Sequence, residues 1–305
     1  MKRTLSLLLL AFVTALGGVG YTLEPKQAAP LRALQSQMAK IQSVHLRVSS
    51  RILILRPESS GQPETAGNGS FEYWAAGEKF RISSKSDPSL QFMQDMEWAF
   101  NGQIFQILDH SMKLLSLRKG NLSPIATALP NPFFFAVEYL SREGDSCPGC
   151  TLKLGDLRDA DLWNARLASA VVSTVPGVGG SPAIDITAES LGGQAQKYRV
   201  HLGTTEFGTL PVRVDPLDSA GQPSGLIEIS SYRQIVTGGD TFHIPDKVVF
   251  VAWDPSANEA SLRAFFQIEE LSINQSLDAA VFEIPKSAAS RVFDEDAGAF
   301  LKPER

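Results

Sequence analysis

Apolar residues recur along the chain with two different periods, and the switch between them organises the whole sequence. From Pro30 onward, Leu31, Leu34, Met38 and Ile41 fall three or four residues apart, the spacing of one stripe on a helix. One amphipathic helix is predicted over 30–43. The period then changes to two. In 45–55, Leu46, Val48, Ile52 and Ile54 share one face while His45, Arg47, Ser49 and Arg51 share the other, which predicts a half-buried strand.

A polar, Gly- and Pro-rich loop over 57–69 is followed by short apolar or alternating runs at 70–75, 79–85, 90–95, 97–100, 103–108 and 113–118. Turn residues separate nearly all of them. Asn101-Gly102 lies between Trp98-Ala99-Phe100 and Ile104-Phe105, and the pair suits a type I′ turn because both central residues there need positive φ. An antiparallel meander is expected in this part of the chain.

Ser123-Pro124 and Asn131-Pro132 each read as an N-cap followed by Pro at the first helical position, and Phe133 to Leu140 is strongly apolar. Helices are therefore expected between about 123 and 143. Asp159 or Asp161 can cap a further short helix, before a strand-like run at 167–175. Strands then follow at 184–189, 197–202, 209–215, 225–232, 247–253 and 261–273, and the chain after Pro285 is expected to end in a short helix or to fray. Many short strands with a few inserted helices predict an α+β, mainly antiparallel β fold, a single curled or barrel-like sheet and not alternating βαβ units. No fixed-period repeat or low-complexity tract interrupts it.

The N-terminus points to a compartment. Met1-Lys2-Arg3 is a short positive stretch, 5–16 is apolar, and Gly17-Gly18-Val19-Gly20 supplies the small residues that a signal peptidase accepts. A secretory signal over 1–20 is expected, with 21–29 as a linker. The alternative is the same segment retained as an anchor, since 4–23 carries no charge and is just long enough to span. Both place the domain outside the cytoplasm. No Cys occurs before Cys147, so no acceptor thiol for a lipid anchor stands next to the signal.

Composition narrows the class further. With 43% hydrophobic and 20% charged residues in 305, the chain has ordinary globular usage, against both disorder and a multi-span membrane protein. Lys and Arg total 28 against 33 Asp and Glu, a net charge of -5 with no dense basic stretch, so nucleic acid is excluded as an expected partner.

Candidate chemistry is sparse. Cys147-Pro148-Gly149-Cys150 is a CxxC, which can cycle between dithiol and disulfide, but Thr151-Leu152-Lys153-Leu154 after it reads as a strand and not as the helix that stabilises a thiolate. In an exported protein a structural disulfide is the expectation, with a thiol oxidoreductase as the outsider. The four histidines (His45, His110, His201, His243) and two cysteines match no zinc spacing. Asp156, Asp159 and Asp161 lack the glycine and distal glutamate of a calcium loop and read as helix caps. No P-loop, dinucleotide fingerprint or G-x-S-x-G elbow is present, and Gly177-Val178-Gly179-Gly180 reads as a turn. Glu269-Glu270 are adjacent in a strand and are expected on opposite faces, while Asp294-Glu295-Asp296 reads as solvated surface. No catalytic residue, metal or cofactor is implied.

The aromatic residues are more informative. Phe71, Tyr73, Trp74, Phe80, Phe92, Trp98, Phe100, Phe105, Phe250, Trp253, Phe265 and Phe266 all lie on predicted strands. A curved sheet with few helices can turn such side chains into an apolar concavity, the usual form of a site for hydrophobic ligands. Ordinary core packing remains the alternative for most of them.

The order of elements carries a resemblance. An export signal and the Leu31, Leu34, Met38 helix lead into strand 45–55, then Gly69-Ser70-Phe71-Glu72-Tyr73-Trp74 and Gly77-Glu78-Lys79-Phe80-Arg81-Ile82. The Asn101-Gly102 hairpin follows, and closing runs include Leu210-Pro211-Val212-Arg213-Val214, Ile227-Glu228-Ile229, Ile244-Pro245, Leu271-Ser272-Ile273-Asn274 and Phe282-Glu283-Ile284-Pro285. This resembles the outer-membrane lipoprotein carrier and lipoprotein-sorting superfamily over about 30–295. The resemblance implies an incomplete antiparallel barrel, a half-barrel wrapped over helices, with an apolar cavity for acyl chains. It also implies that 124–142 acts as a helical plug or lid. The chain departs from the carrier in its insertion at about 123–164 with the cysteine pair.

These readings give one half-barrel domain over 30–295 with a tail at 296–305. The expected function is a periplasmic, non-enzymatic binding or carrier protein for a lipid, acyl chain or lipoprotein. The expected ligand-binding residues are Phe71, Tyr73, Phe80, Trp98, Phe100, Phe133, Phe134, Phe135, Phe250 and Phe266, with Cys147 and Cys150 as a disulfide. The alternative is a regulatory module related to envelope-stress sensors, acting on an envelope protein partner. A large cavity favours the first reading, and an exposed apolar patch without a cavity favours the second.

Overall fold

The computed structural model describes residues 25–55, 65–88, 90, 95–120, 131–140, 154–180, 182–189, 195–254 and 259–301. Helix α1 (Pro25–Met38) leads into β1 (Ser43–Ile54), β2 (Thr65–Ala76), β3 (Lys79–Ser86), β4 (Met96–Phe100), β5 (Ile104–Asp109) and β6 (Leu114–Lys119). After two 3₁₀ segments, Pro132–Leu140 and Leu154–Arg158, comes helix α2 (Ala160–Ala168). The strands resume as β7 (Val171–Val172), β8 (Ala183–Glu189), β9 (Ala195–Thr205), β10 (Gly208–Leu217), β11 (Gly225–Thr237), β12 (Asp240–Asp254) and β13 (Glu259–Ile273), and end with β14 (Arg291–Asp294) and β15 (Ala299–Phe300).

All the strands form one 15-stranded sheet that runs β15-β14-β6-β5-β4-β3-β2-β1-β13-β12-β11-β10-β9-β8-β7. Strands β1 to β6 and β7 to β13 form two meanders of consecutive antiparallel strands, joined where β1 pairs with β13 from Val44↔Ile273 to Ile54↔Leu262, and β14 and β15 extend the edge beyond β6. The sheet does not close, so the architecture is the expected open half-barrel with helices.

The period of two decides which face is inside. Along β1, Val44, Leu46, Val48 and Ile52 are buried while His45, Arg47, Ser49 and Arg51 point outward. Residues opposite them continue the same faces, because cross-strand partners in an antiparallel sheet point to one side. Thus Tyr73, opposite Leu46, and Ile268, opposite Val48, join the inner face. The inner face packs on α1 and on Pro132–Leu140, and Leu31, Leu34, Met38 and Ile41 are all buried there, as the helical stripe predicted.

Several expectations are corrected. Helix α1 starts earlier and ends at Met38, not Ser43, because the chain turns at Ala39 and Lys40 and is already extended at Ser43, while Pro30 is accommodated within the first turns. The β4–β5 hairpin is centred one residue later than expected: Asn101 N donates to Ile104 O, so Gly102 and Gln103 are the central residues, and only Gly102 has positive φ, at 99°. Asn101 instead supplies its side-chain oxygen to the backbone N–H groups of Gln103 and Ile104, at 3.0 and 2.9 Å. The strand expected at 167–175 shrinks to Val171–Val172 because α2 continues to Ala168 and is capped by Asp159, whose side chain accepts from Leu162 N at 2.9 Å.

The largest correction concerns the C-terminus. After a short 3₁₀ turn the chain neither frays nor stays helical but forms β14, which pairs parallel with β6 through Arg291↔Leu114 to Asp294↔Leu117. Residues 279–292 cross the outer face of the N-terminal meander and bury a second small core, in which Ile284 meets Ala99, Leu108 and Leu115. The acidic run belongs to this edge: Asp296 accepts from Lys119 N at 2.6 Å, and Glu295 lies 3.9 Å from Arg118. Glu269 and Glu270 do not point to opposite faces. A register shift between Arg47 and Val48 inserts Glu269 as an extra residue, so both carboxylates are exposed, Glu270 paired with Arg47 and Glu269 accepting from Ser49 Oγ at 2.6 Å.

Candidate ligand site

The inner face contains the aromatic cluster the sequence singled out. Phe71, Tyr73, Phe80, Trp98, Phe100, Phe250 and Phe266 lie on five strands and all are buried. Phe133, Phe134 and Phe135 come from Pro132–Leu140, a plug whose nine residues are every one buried. Asn131 starts the plug by accepting from Phe133 N at 3.1 Å, the capping role expected for it, although the segment is 3₁₀ and breaks at Val137.

Ring geometry shows how the plug docks. Tyr73 meets Phe134 edge-on at 6.1 Å, Phe135 meets Phe266 edge-on at 5.8 Å and Phe250 at 6.4 Å, and Phe133 and Phe134 are T-shaped at 5.1 Å. Phe80 joins Phe100 and Phe105 farther along, at 6.4 and 6.2 Å. Six of the ten candidates therefore form direct ring contacts in and around the plug, Phe80 and Phe100 form a neighbouring group, and Phe71 and Trp98 belong to the same apolar cluster. The plug makes no strand pairing with the sheet: side chains hold it.

Two polar side chains of the plug are buried with it, the Glu138 carboxylate and the Tyr139 hydroxyl. Tyr139 of the plug packs edge-on against Trp163 of α2 at 5.9 Å, and its hydroxyl is buried without a hydrogen-bond partner among the described residues. Burial pushes the Tyr139 phenol well above its usual range, and pushes Tyr73 up likewise, with the Asp156 carboxylate adding to the effect. Both stay neutral donors at any physiological pH.

The outer face carries charge networks that the sequence reading missed. On β8, β9 and β10, Arg199 grips Asp185 through two hydrogen bonds at 2.7 and 3.0 Å, which holds the guanidinium firmly charged. Asp215, 2% exposed, takes His201 Nε2 at 3.0 Å on one oxygen and Arg213 Nε at 2.7 Å on the other. The signal was there in the alternation of Arg199 and His201 with Tyr198, Val200 and Leu202. On the other half, Glu97 receives Arg81 and His110, and Arg81 also reaches Val281 O at 3.2 Å, tying the C-terminal crossing to β3. These pairs occupy each other's acceptors, which suits fixed structure better than proton transfer. Among the described residues no group of three or more His, Cys, Asp or Glu is arranged to hold a metal, and no helix is long and apolar enough to cross a membrane. Cys147, Cys150 and the expected signal fall outside the described residues.

No family model and no curated protein matches the chain. Solved structures do resemble it. They include a LolA superfamily protein from Nitrosomonas europaea at 10% identity and TM-score 0.46, which covers 83% of this chain and 97% of that one. An outer membrane lipoprotein-sorting protein domain from Vibrio parahaemolyticus aligns at 9% identity and TM-score 0.45, covering 84% and 96%. A DUF1329 family protein from Desulfovibrio piger aligns at 12% identity and TM-score 0.45, covering 86% and 98%. The superfamily that the sequence resembles is thus among these neighbours, and the likeness is one of loose overall shape.

Proposed function

We propose that this is a non-enzymatic, exported binding or carrier protein that holds a lipid, an acyl chain or the acyl part of a lipoprotein against the inner face of the half-barrel. The observation that carries the reading is the plug: an aromatic-lined face of an open sheet is covered by a segment that touches it through apolar side chains. An acyl chain offers the same chemistry. Three buried Phe side chains contribute roughly 1.5–3 kcal/mol each, and an acyl chain of about ten methylenes contributes about 8 kcal/mol, so the two are comparable occupants.

In this reading Phe71, Tyr73, Phe80, Trp98, Phe100, Phe250 and Phe266 form the wall, and Phe133, Phe134 and Phe135 leave it when ligand enters. The donor Tyr139 OH suits the ester or amide carbonyl of such a ligand. The mature domain works outside the cytoplasm, with Cys147 and Cys150 as a structural clip.

The burial of the whole plug also favours a second reading, in which the inner face is permanently closed and the protein acts as a regulatory module by contact with an envelope protein. Titration of the protein with a fluorescent fatty acid separates the two. Saturable binding, weakened in Phe250→Ser by more than its loss of stability explains, supports the carrier. No saturable binding, with no lipid seen by native mass spectrometry of the protein purified from a membrane-containing lysate, leaves the regulatory reading.

A further inference from the structure

A groove of about 510 Å³ lies on the other side of the sheet, lined by Ser49, Arg51, Asn68, Lys247, Val249 and Phe265 among others. Its position follows from register. Asn68, Arg51, Phe265 and Val249 form one cross-strand row over β2, β1, β13 and β12, and Ser49, Gln267 and Lys247 form the next. Since Val48, Ser50 and Ile52 face inward, these rows face outward. The shifts in register next to Val48 and at Ser231 bend the flanking strands, which makes the outer face concave here.

Two features set the groove apart from the rest of the surface. Phe265 is 38% exposed, one of few large apolar side chains left open to water among the described residues. Arg51 and Lys247 form no ion pair or side-chain hydrogen bond with any described residue, whereas Arg47, Arg81, Arg199, Arg213 and Arg233 all have carboxylate partners. Among the described residues no carboxylate lines the groove. Glu269 accepts from Ser49 at its rim, and Glu228 lies one strand beyond Val249, across from Arg213. In a chain of net charge -5, two unpaired cations over an apolar floor form a local positive site.

We propose that this groove binds an organic anion: a phosphate or like group held between Arg51 and Lys247, with an apolar or aromatic body against Phe265 and Val249. The two cations lie two strands and two residues apart, about 10 Å across and about 7 Å along, a span that two long side chains close onto one anion. Ser230, Asn68 and Gln267 add neutral donors. The volume falls within the range of small-molecule sites, roughly 300–1,000 Å³, and a concave site of that size suits a compact ligand better than a flat membrane. The site is on the opposite face from the plug and does not depend on what the interior holds.

The test is calorimetric titration with 1-naphthyl phosphate, with 1-naphthol and inorganic phosphate as halves of the ligand, and with monomeric dihexanoyl phosphatidylglycerol as the lipid source of the same chemistry. Saturable binding of the naphthyl phosphate or the lipid, stronger than of either half and weakened by added salt, is expected. The double variant R51A/K247A should lose about tenfold or more, the scale of a hydrogen bond to a charged group. Phe265→Ala should weaken the organic anions and leave inorganic phosphate unchanged. All three side chains are solvent-accessible, so the variants should melt as the parent does. Lipid binding that survives R51A/K247A but is lost in Phe250→Ser belongs to the interior and overturns the groove. Equal binding of naphthol and its phosphate, or no dependence on salt, overturns it too.

Discussion

Two segments cross this sheet, one on each face, and they are held in different ways. The plug Pro132–Leu140 lies on the inner face and is attached mainly by ring and aliphatic packing, with a cap at Asn131, a buried and partnered carboxylate at Glu138, and one hydroxyl, Tyr139, left without a partner among the described residues. The crossing at 279–292 lies on the outer face and is tied by directed polar contacts. Gln106 Oε1 accepts from Ile284 N at 2.8 Å, Arg81 donates to Val281 O, Lys113 O accepts from Ser290 N at 2.9 Å, and β14 extends the sheet. Apolar packing is non-directional, so any apolar body of similar volume can replace it, whereas a hydrogen-bonded strap has no such substitute. The inner face, and not the outer, is therefore the one on which an apolar ligand can take the place of a segment of the chain.

The contrast can be broken by substitution. Phe135→Ala removes the ring between Phe250 and Phe266, and should cost about 3–5 kcal/mol in denaturant unfolding, the range for a buried Phe truncated to Ala. A much smaller cost would mean that the plug is already loose. Leu115→Ala in the small outer core should cost about 2–4 kcal/mol, because that core has few members among which to spread the loss. Arg81→Ala deletes the partly buried pair with Glu97 and the link to Val281, and a loss of about 1–3 kcal/mol is expected, seen first as faster hydrogen exchange at Ile284 and Val292. An equal change in the plug would show that the two crossings are coupled.

The smallest effect is one of pH. His243, buried against Phe207 with ring centroids 4.9 Å apart, has its pKa lowered by burial. The unfolded chain therefore binds this proton at higher pH than the folded protein does, so stability falls as pH drops below about 6.5 and levels off below the folded value. Asp109 acts in the same direction at lower pH. Burial opposes its charge, but the Ser111 hydroxyl, the backbone N–H groups of Met112 and Ser111, and His110 hold it below the usual carboxylate value, and its contribution is lost as pH falls through that range. His243→Gln should flatten the first slope and leave the second.

The sequence made most strands of both meanders legible because each is a run of period two bounded by turns, and β1 and β13 lie within two residues of the expected bounds, whereas β11 and β12 reach to Thr237 and back from Asp240, well beyond the expected 225–232 and 247–253. The interior aromatic set was legible for the same reason, since Phe71, Tyr73, Phe250 and Phe266 sit at inward positions of those runs. What lay beyond reach was long-range. Nothing local in Arg291–Asp294 says that it will pair parallel with β6, a contact about 180 residues away. The bulge that turns Glu269 outward arises from a mismatch between two strands and not from either alone. A fully seated plug and an open concavity also have the same apolar pattern, so only packing distinguishes them.

In the carrier reading proposed above, the plug and an acyl chain compete for one surface. Hydrogen–deuterium exchange of the whole protein, with and without a saturating fatty acid, tests it most directly. Ligand should speed exchange in 132–140, protect the inner strands around Phe250 and Phe266, and leave 279–292 unchanged. Plug amides that stay unchanged or slow down on saturable binding would contradict it.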